Sequence, residues 1–366
     1  MNIQTNLTTQ RYFLVAGLIV AITVVGLPFI SGTRTTAESL PAQISDQQFW
    51  KMSSDFSEPD GTFRSDNLLS NELWYQYVLP DLLKSAKSGR VYLGVGPEQN
   101  FTYIAALKPR MAFIIDIRRG NLDVQLAYKA LFELSKDRVE FVSRLFSRKP
   151  PAGLSQASTS KEIFTAIAEE EPNDALYKEN LKAIEDNLTK KHGFALSATD
   201  ISGIEYMYKA FFEYGPEINY SSTSGGFGGG ARTTYADLMT ATDEMGQPRS
   251  YLASHENFMI LKDLEAKNMI VPVVGNFGGP KAIRAVGKYL KEMGATVSAF
   301  YLSNVEQFLQ QDGIWNTFCR SSAALPLDQS SMFIRSVRGG RYGQGFGLSS
   351  DLGTMVDDLK ACSAAQ

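Results

Sequence analysis

The sequence predicts an α/β protein organised on a doubly wound, mostly parallel sheet, with a helical insertion and an apolar span at its amino end. Three observations carry this. Residues 91–119 read as strand, glycine turn, helix and a second strand ending in a carboxylate, the unit from which parallel sheets are built. Residues 269–277, 296–302 and 332–337 are short apolar runs rich in β-branched or aromatic side chains, spaced by helix-length segments. Pro280 before Ile283, Val286, Leu290 and Met293, with Gly294 after them, marks one crossover helix at both ends.

With 366 residues, 44% hydrophobic and 20% charged, the chain can build one large core or two modest ones. A formal charge of −3 gives no electrostatic case for nucleic acid. Cys319 and Cys362 are too few for a disulfide framework and show no zinc spacing, and two histidines, His192 and His255, exclude a histidine-rich metal site. Residues 12–30 carry no charge and are long enough to cross a hydrocarbon layer of about 30 Å. An uncleaved single-pass anchor over residues 1–32 is preferred to a cleaved signal peptide, whose apolar core is usually shorter, and to a buried helix. Arg11 on one side and Arg34 with Lys51 on the other nearly balance, so the sequence leaves the orientation in the membrane open. Residues 33–48, small and polar, read as a linker.

Residues 49–148 read as the first half of the sheet domain. Ser65 or Asp66 caps a helix carrying Leu69, Leu73, Trp74 and Tyr77, interrupted at Pro80 and ended by Gly89. The strand from Val91 stops at Gly94 and Gly96, where the backbone turns tightly and a ligand can approach it. A helix then runs to Lys108 and Pro109, and the second strand ends near Asp116. Asp116 stands twenty residues after Gly96, the offset at which an acid at a strand tip accepts hydrogen bonds from ribose hydroxyls. A plain turn with a capping aspartate is the structural alternative. The combination favours a nucleoside ligand, with Gly94, Gly96, Glu98, Gln99, Asn100, Asp116 and Arg118 as the binding set. Glu98 stands where a pyrophosphate would need to lie, so a ligand with a cationic end, such as S-adenosylmethionine, suits the turn better than a dinucleotide. An NAD-dependent oxidoreductase is a further reading. Leu122, Leu126, Ala130 and Leu134 mark the next helix, and residues 138–145 read as a third strand.

These residues resemble the class I S-adenosylmethionine-dependent methyltransferase superfamily, and more closely an uncharacterised bacterial branch with a very similar GVGPEQNFTYIAA…DIRR segment. The likeness to the branch covers most of the chain after Gln48. That to proven methyltransferases covers the nucleotide corner and the order of elements. The resemblance implies a Rossmann-like sheet, S-adenosylmethionine as cofactor and methyl transfer as activity. Two positions depart from the superfamily pattern: Tyr92 stands two places before Gly94, where an acid is usual, and Glu98 stands where a third glycine is common.

Residues 149–267 read as a helical insertion. His192 lies with Lys190 and Lys191 in the last turn of a charged helix, a structural position that complements the helix dipole. Residues 221–230 are glycine-rich and suit a linker, or a lid with Phe227 at its tip. Ser254 caps a helix whose first turn, with His255, Glu256 and Asn257, suits substrate contact as well as capping.

Residues 268–338 form the second half. Pro272 is awkward in the fourth strand, and Asn276 ends that strand, where amine-methylating members of the superfamily carry Asn or Asp before two prolines. Tyr301, Ser303, Asn304 and Glu306 crowd the end of the fifth strand, at the edge where open α/β sheets bind ligands. Methyl transfer needs positioning and a base near the acceptor, for which Glu306, Glu256, Asn276 and Tyr301 are the candidates. Residues 339–366 read as a loosely held tail. The function expected is a membrane-anchored, methyltransferase-like protein that binds an S-adenosyl nucleoside. The alternative is a non-catalytic envelope protein that uses the fold as a scaffold.

Overall fold

The computed structural model describes residues 39–223, 232–344 and 348–364, all within one compact unit. The expected anchor at residues 1–32 lies outside them, and among the described residues no helix is long and apolar enough to cross a membrane.

In chain order, α1 (Asp46–Phe56), a 3-10 turn (Leu73–Gln76) and α2 (Leu79–Ser85) precede β1 (Val91–Gly94), and α3 (Gln99–Leu107) leads to β2 (Met111–Asp116). Helices α4 (Arg119–Leu134), α5 (Arg138–Phe146), α6 (Ser160–Glu169), α7 (Asp174–Asp186), α8 (Ala198–Tyr214), α9 (Tyr235–Thr240) and α10 (His255–Ala266) separate β2 from β3 (Ile270–Val274). Then come α11 (Ala282–Glu292), β4 (Val297–Ser303), α12 (Val305–Gln311), α13 (Trp315–Ala323), β5 (Met332–Arg338), β6 (Leu348–Thr354) and α14 (Met355–Ala364).

The strands form one six-stranded sheet in the order β3-β2-β1-β4-β5-β6, parallel throughout except for the pairing of β5 with β6. The chain steps outward from β1 through β2 to β3, then returns to the other side of β1 and steps outward again. Right-handed crossovers place the helices of the two halves on opposite faces. Accordingly α10 packs on α3 and α4, whereas α11 packs on α1 and α13. β1 and β2 are buried along their whole length, as a parallel strand covered on both faces must be.

Several expectations change. Residues 138–145 form α5, not a third strand: Asp137 accepts from the Glu140 N–H at 2.9 Å as N-cap, Glu140 pairs with Arg144 one turn on, and Phe141, Val142, Leu145 and Phe146 share the buried side. The strand at Ile270 is therefore the third, and the helical insertion lies within the crossover from β2 to β3. Pro272 is tolerated because β3 is an edge strand, and Ser53 of α1 covers that edge by donating to the Pro272 carbonyl at 2.7 Å. Pro80 opens α2 where an interruption was expected, and the residues before it form only a 3-10 turn. The described end of the linker is packed: Leu40 and Ile44 are buried, and the Ile44 N–H donates to the Lys267 carbonyl at 3.1 Å. The expected tail supplies β6 and α14, with a Cys319–Cys362 disulfide joining α13 to α14.

Candidate functional site

A cleft of about 1300 Å³ opens at the carboxyl ends of β1 to β4. Its walls include Gly96 and Pro97 after β1, Asp116 at the tip of β2, Asn276 after β3, Ser303 at the end of β4 and Asn304 after it. Between β1 and β4 the strand order reverses, the place where neighbouring loops diverge and leave a crevice.

The glycine turn is braced from behind. Gly94 has no room for a side chain, because a Cβ there would run into the Asn100 carboxamide, and Gly96 has φ of +79°, a conformation that favours glycine. Asn100 is fully buried; its Nδ2 donates to the carbonyls of Val95 at 2.9 Å and Pro97 at 2.8 Å, and its Oδ1 accepts from the Tyr92 hydroxyl at 2.8 Å. Gln125 Nε2 donates to the Gly96 carbonyl at 3.0 Å. Tyr92 thus supports the turn through Asn100, and Asn100 is a brace for the loop, absent from the cleft wall.

Asp116 is 4% exposed and reaches the cleft. Its Oδ1 accepts from the Arg118 N–H at 2.9 Å, and a bond from the Gly96 N–H ties the strand tip to the turn. Burial raises its pKa, against the lowering effect of Arg118 and these bonds. The Arg118 guanidinium lies 3.5 Å from Asp116 and donates to the Asp66 carbonyl, outside the cleft wall.

Glu98 is placed differently from the expectation. Both its oxygens accept from the Ser70 N–H, at 3.1 and 3.2 Å, and the side chain is fully buried, away from the cleft. Desolvation, with Glu72 nearby, pushes its pKa up to about 8. The carboxyl that does reach the cleft is Glu72, 5% exposed and missed in the sequence. Ser303 Oγ donates to Glu72 Oε1 at 2.5 Å, and the hydroxyls of Tyr301 and Ser336 lie alongside. Burial dominates and raises the Glu72 pKa. Glu72 lies at the edge of a short 3-10 turn with no motif around it, so no local signal could have marked it. Gln99, by contrast, lines the cleft as expected and donates through Nε2 to the Tyr301 hydroxyl at 3.1 Å.

The base candidates separate. Asn276 lines the cleft, its Oδ1 accepting from the Gly278 N–H at 2.9 Å, but it follows the third strand; the end of the fourth belongs to Ser303, with Asn304 after it. Tyr301 is fully buried on β4, next to Gln99 and Glu72. Glu306 lies outside the cleft wall, 2.8 Å from Arg335, which also pairs with Asp358 at 2.7 Å. Glu256 is exposed and pairs at 2.8 Å with Lys108. Lys108 ends α3 just before β2 begins, so Glu256 belongs to the amino edge of the sheet, opposite the cleft. His192 is held in the interior between Asp46 and Glu133, 2.7 Å from each, as its structural reading implied. Most of the glycine-rich stretch, residues 224–231, lies outside the described residues, but Tyr220 and Ser221 before it reach the cleft.

These observations define a mixed α/β protein with a large cleft at the carboxyl edge of a mostly parallel sheet. Residues 68–351 match the family described as Domain of unknown function (DUF7790), and the chain belongs to that family. The matched span contains Glu72, the glycine turn, Asp116 and the end of β4. No curated protein matches the chain.

Proposed function

We propose that the cleft binds an S-adenosyl nucleoside, and that this is a membrane-anchored, Rossmann-like protein of methyltransferase type that transfers a methyl group to an acceptor entering the same cleft. The observation that carries the reading is Asp116, a nearly buried carboxyl at the tip of β2, tied to the Gly96 turn and open to the cleft. Ribose hydroxyls are suited to donate to it, while Gly96 in the turn leaves the backbone open to the rest of the nucleoside. In the transfer, the acceptor's lone pair attacks the methyl carbon as the carbon–sulfur bond breaks, and the electron pair passes to sulfur, which leaves as a neutral thioether. The protein's part in such a step is to hold donor and acceptor in line, for which Asn276, Ser303 and Asn304 stand on the cleft wall. Wild-type protein should show a thermal shift with S-adenosylmethionine or S-adenosylhomocysteine, and Asp116→Ala should weaken binding at least tenfold, about 1.4 kcal/mol or more. No shift of the wild type with either compound would overturn the reading.

One observation favours a second reading, a non-catalytic envelope scaffold. Cys319 and Cys362 form a disulfide, a bond that persists in oxidising compartments. A topology reporter at the carboxyl terminus separates the two, since a domain outside the cell has no supply of S-adenosylmethionine.

A further inference from the structure

Building on the reading of the cleft as a ligand site, we propose that Glu72, with Gln99 beside it, forms a subsite for an organic cation, a protonated amine, at the carboxyl ends of β1 and β4. Both side chains line the cleft, and both are nearly buried, at 5% and 3% exposure. Glu72 Oε1 is taken by Ser303, but Oε2 makes no hydrogen bond of normal geometry among the described residues. Gln99 spends its amide nitrogen on Tyr301, and its Oε1 likewise has no partner among the described residues. The Tyr301 hydroxyl touches both groups, so the two open acceptors belong to one patch of the cleft floor. Buried acceptors are normally satisfied, and although the Tyr301 and Ser336 hydroxyls lie beside Glu72, the two oxygens left without a bond mark where a ligand's donor would fit.

The charge around Glu72 agrees. The groups whose titration is tied to Glu72 are Tyr301, Tyr92, Tyr103 and Glu98; Arg64 and Arg338 line the same cleft, but neither forms a salt bridge with Glu72 among the described residues. An anionic ligand end would meet a carboxyl, and an apolar end would leave two acceptors dry. A cation with N–H donors satisfies both and supplies the missing counter-charge.

The cation can come from the nucleoside's own amino-acid end or from a separate amine. Calorimetry on the full chain with S-adenosylmethionine, with 5′-methylthioadenosine, which has a neutral thioether and lacks the amino-acid end, and with butylammonium distinguishes them. If the charge is the nucleoside's, wild type binds S-adenosylmethionine at least tenfold tighter than methylthioadenosine, and Glu72→Gln erases that preference while leaving methylthioadenosine within twofold. If the amine is separate, the two nucleosides bind alike and butylammonium binding is lost in Glu72→Gln. An unchanged nucleoside preference together with unchanged butylammonium binding in the variant overturns the proposal. If neither nucleoside binds wild type, the nucleoside reading alone falls; butylammonium then decides, and its failure to bind wild type overturns the cation subsite as well. Should Glu72→Gln not fold, Gln99→Met removes the neighbouring acceptor and is read in the same way.

Discussion

The molecule treats buried Glu133 and the buried pair Glu72 and Glu98 in opposite ways. In the helical layer, Glu133 of α4 is met by Lys129 at 2.8 Å, Lys191 at 2.5 Å and His192 at 2.7 Å, with Asn187 at 3.1 Å. Burial alone would raise its pKa, but these partners together hold it well below the usual carboxylate range. Glu72 on the cleft wall and Glu98 behind it are buried at least as deeply, with hydroxyls and backbone N–H groups for company, and burial raises both. Around Glu133 the arrangement is closed, with cationic or cation-forming partners on both carboxylate oxygens, whereas burial raises Asp123 of α4 and Glu265 of α10 to about 8. The second leaves an acceptor open at Glu72, which a structure-only role does not require.

Removing the closed arrangement should have the largest effect. Glu133→Ala leaves three cationic or cation-forming groups facing one another, and breaking such a buried pair costs about 3–5 kcal/mol. Urea unfolding should show a lower midpoint at unchanged slope. Because the folded pKa of Glu133 is depressed, its contribution is present above the ordinary carboxylate range and is lost as pH falls through that range toward the folded value. The wild type should therefore lose its advantage over the variant in acid. A difference below about 1 kcal/mol near neutral pH would dissolve the contrast between the two regions.

Glu98 should behave with the opposite sign. Its pKa is raised from 4.5 to about 8, so the native state favours the protonated form, and stability is full below the ordinary value and declines as pH rises toward 8. Glu98→Gln mimics the protonated acid and should match the wild type near pH 4.5 while exceeding it near pH 9, by on the order of a few kcal/mol. Parallel pH–stability curves for the two proteins would mean that Glu98 is already ionised and paired in the fold.

The glycine-turn corner was legible because its signals are local. Gly94, Gly96 and Asp116 lie within one strand-turn-helix-strand unit, and the structure keeps β1, α3 and β2 where periodicity put them. What was lost depends on distant partners or on side-chain direction. The β-rich run at residues 138–145 is helical because the Asp137 cap and one buried side decide it, and a short apolar run cannot report which period it will adopt. Strand β6, LSSDLGT, has almost no hydrophobic signal, since its place is fixed by pairing with β5 and by buried Ser349, Ser350 and Leu352. Glu98 and Glu72 exchanged roles for a similar reason. The turn sequence gives the position of Glu98 but not that its side chain turns back to Ser70, and Glu72 comes to the cleft only through the packing of the segment before β1.

The smallest effect is expected at Glu256, and it bears on where the functional edge lies. Its side chain is 72% exposed and its one ion pair is with Lys108, itself 54% exposed, at the end of the sheet away from the cleft. Water screens such a pair, so neutralising it changes little in the fold. Glu256→Gln should leave the melting temperature and the affinity for S-adenosylmethionine within error of the wild type. A tenfold loss of affinity in this variant would shift ligand contact to the amino edge of the sheet. The open acceptors of Glu72 and Gln99 would then need an explanation other than a bound cation, because no ligand of nucleoside size spans both ends of the strands.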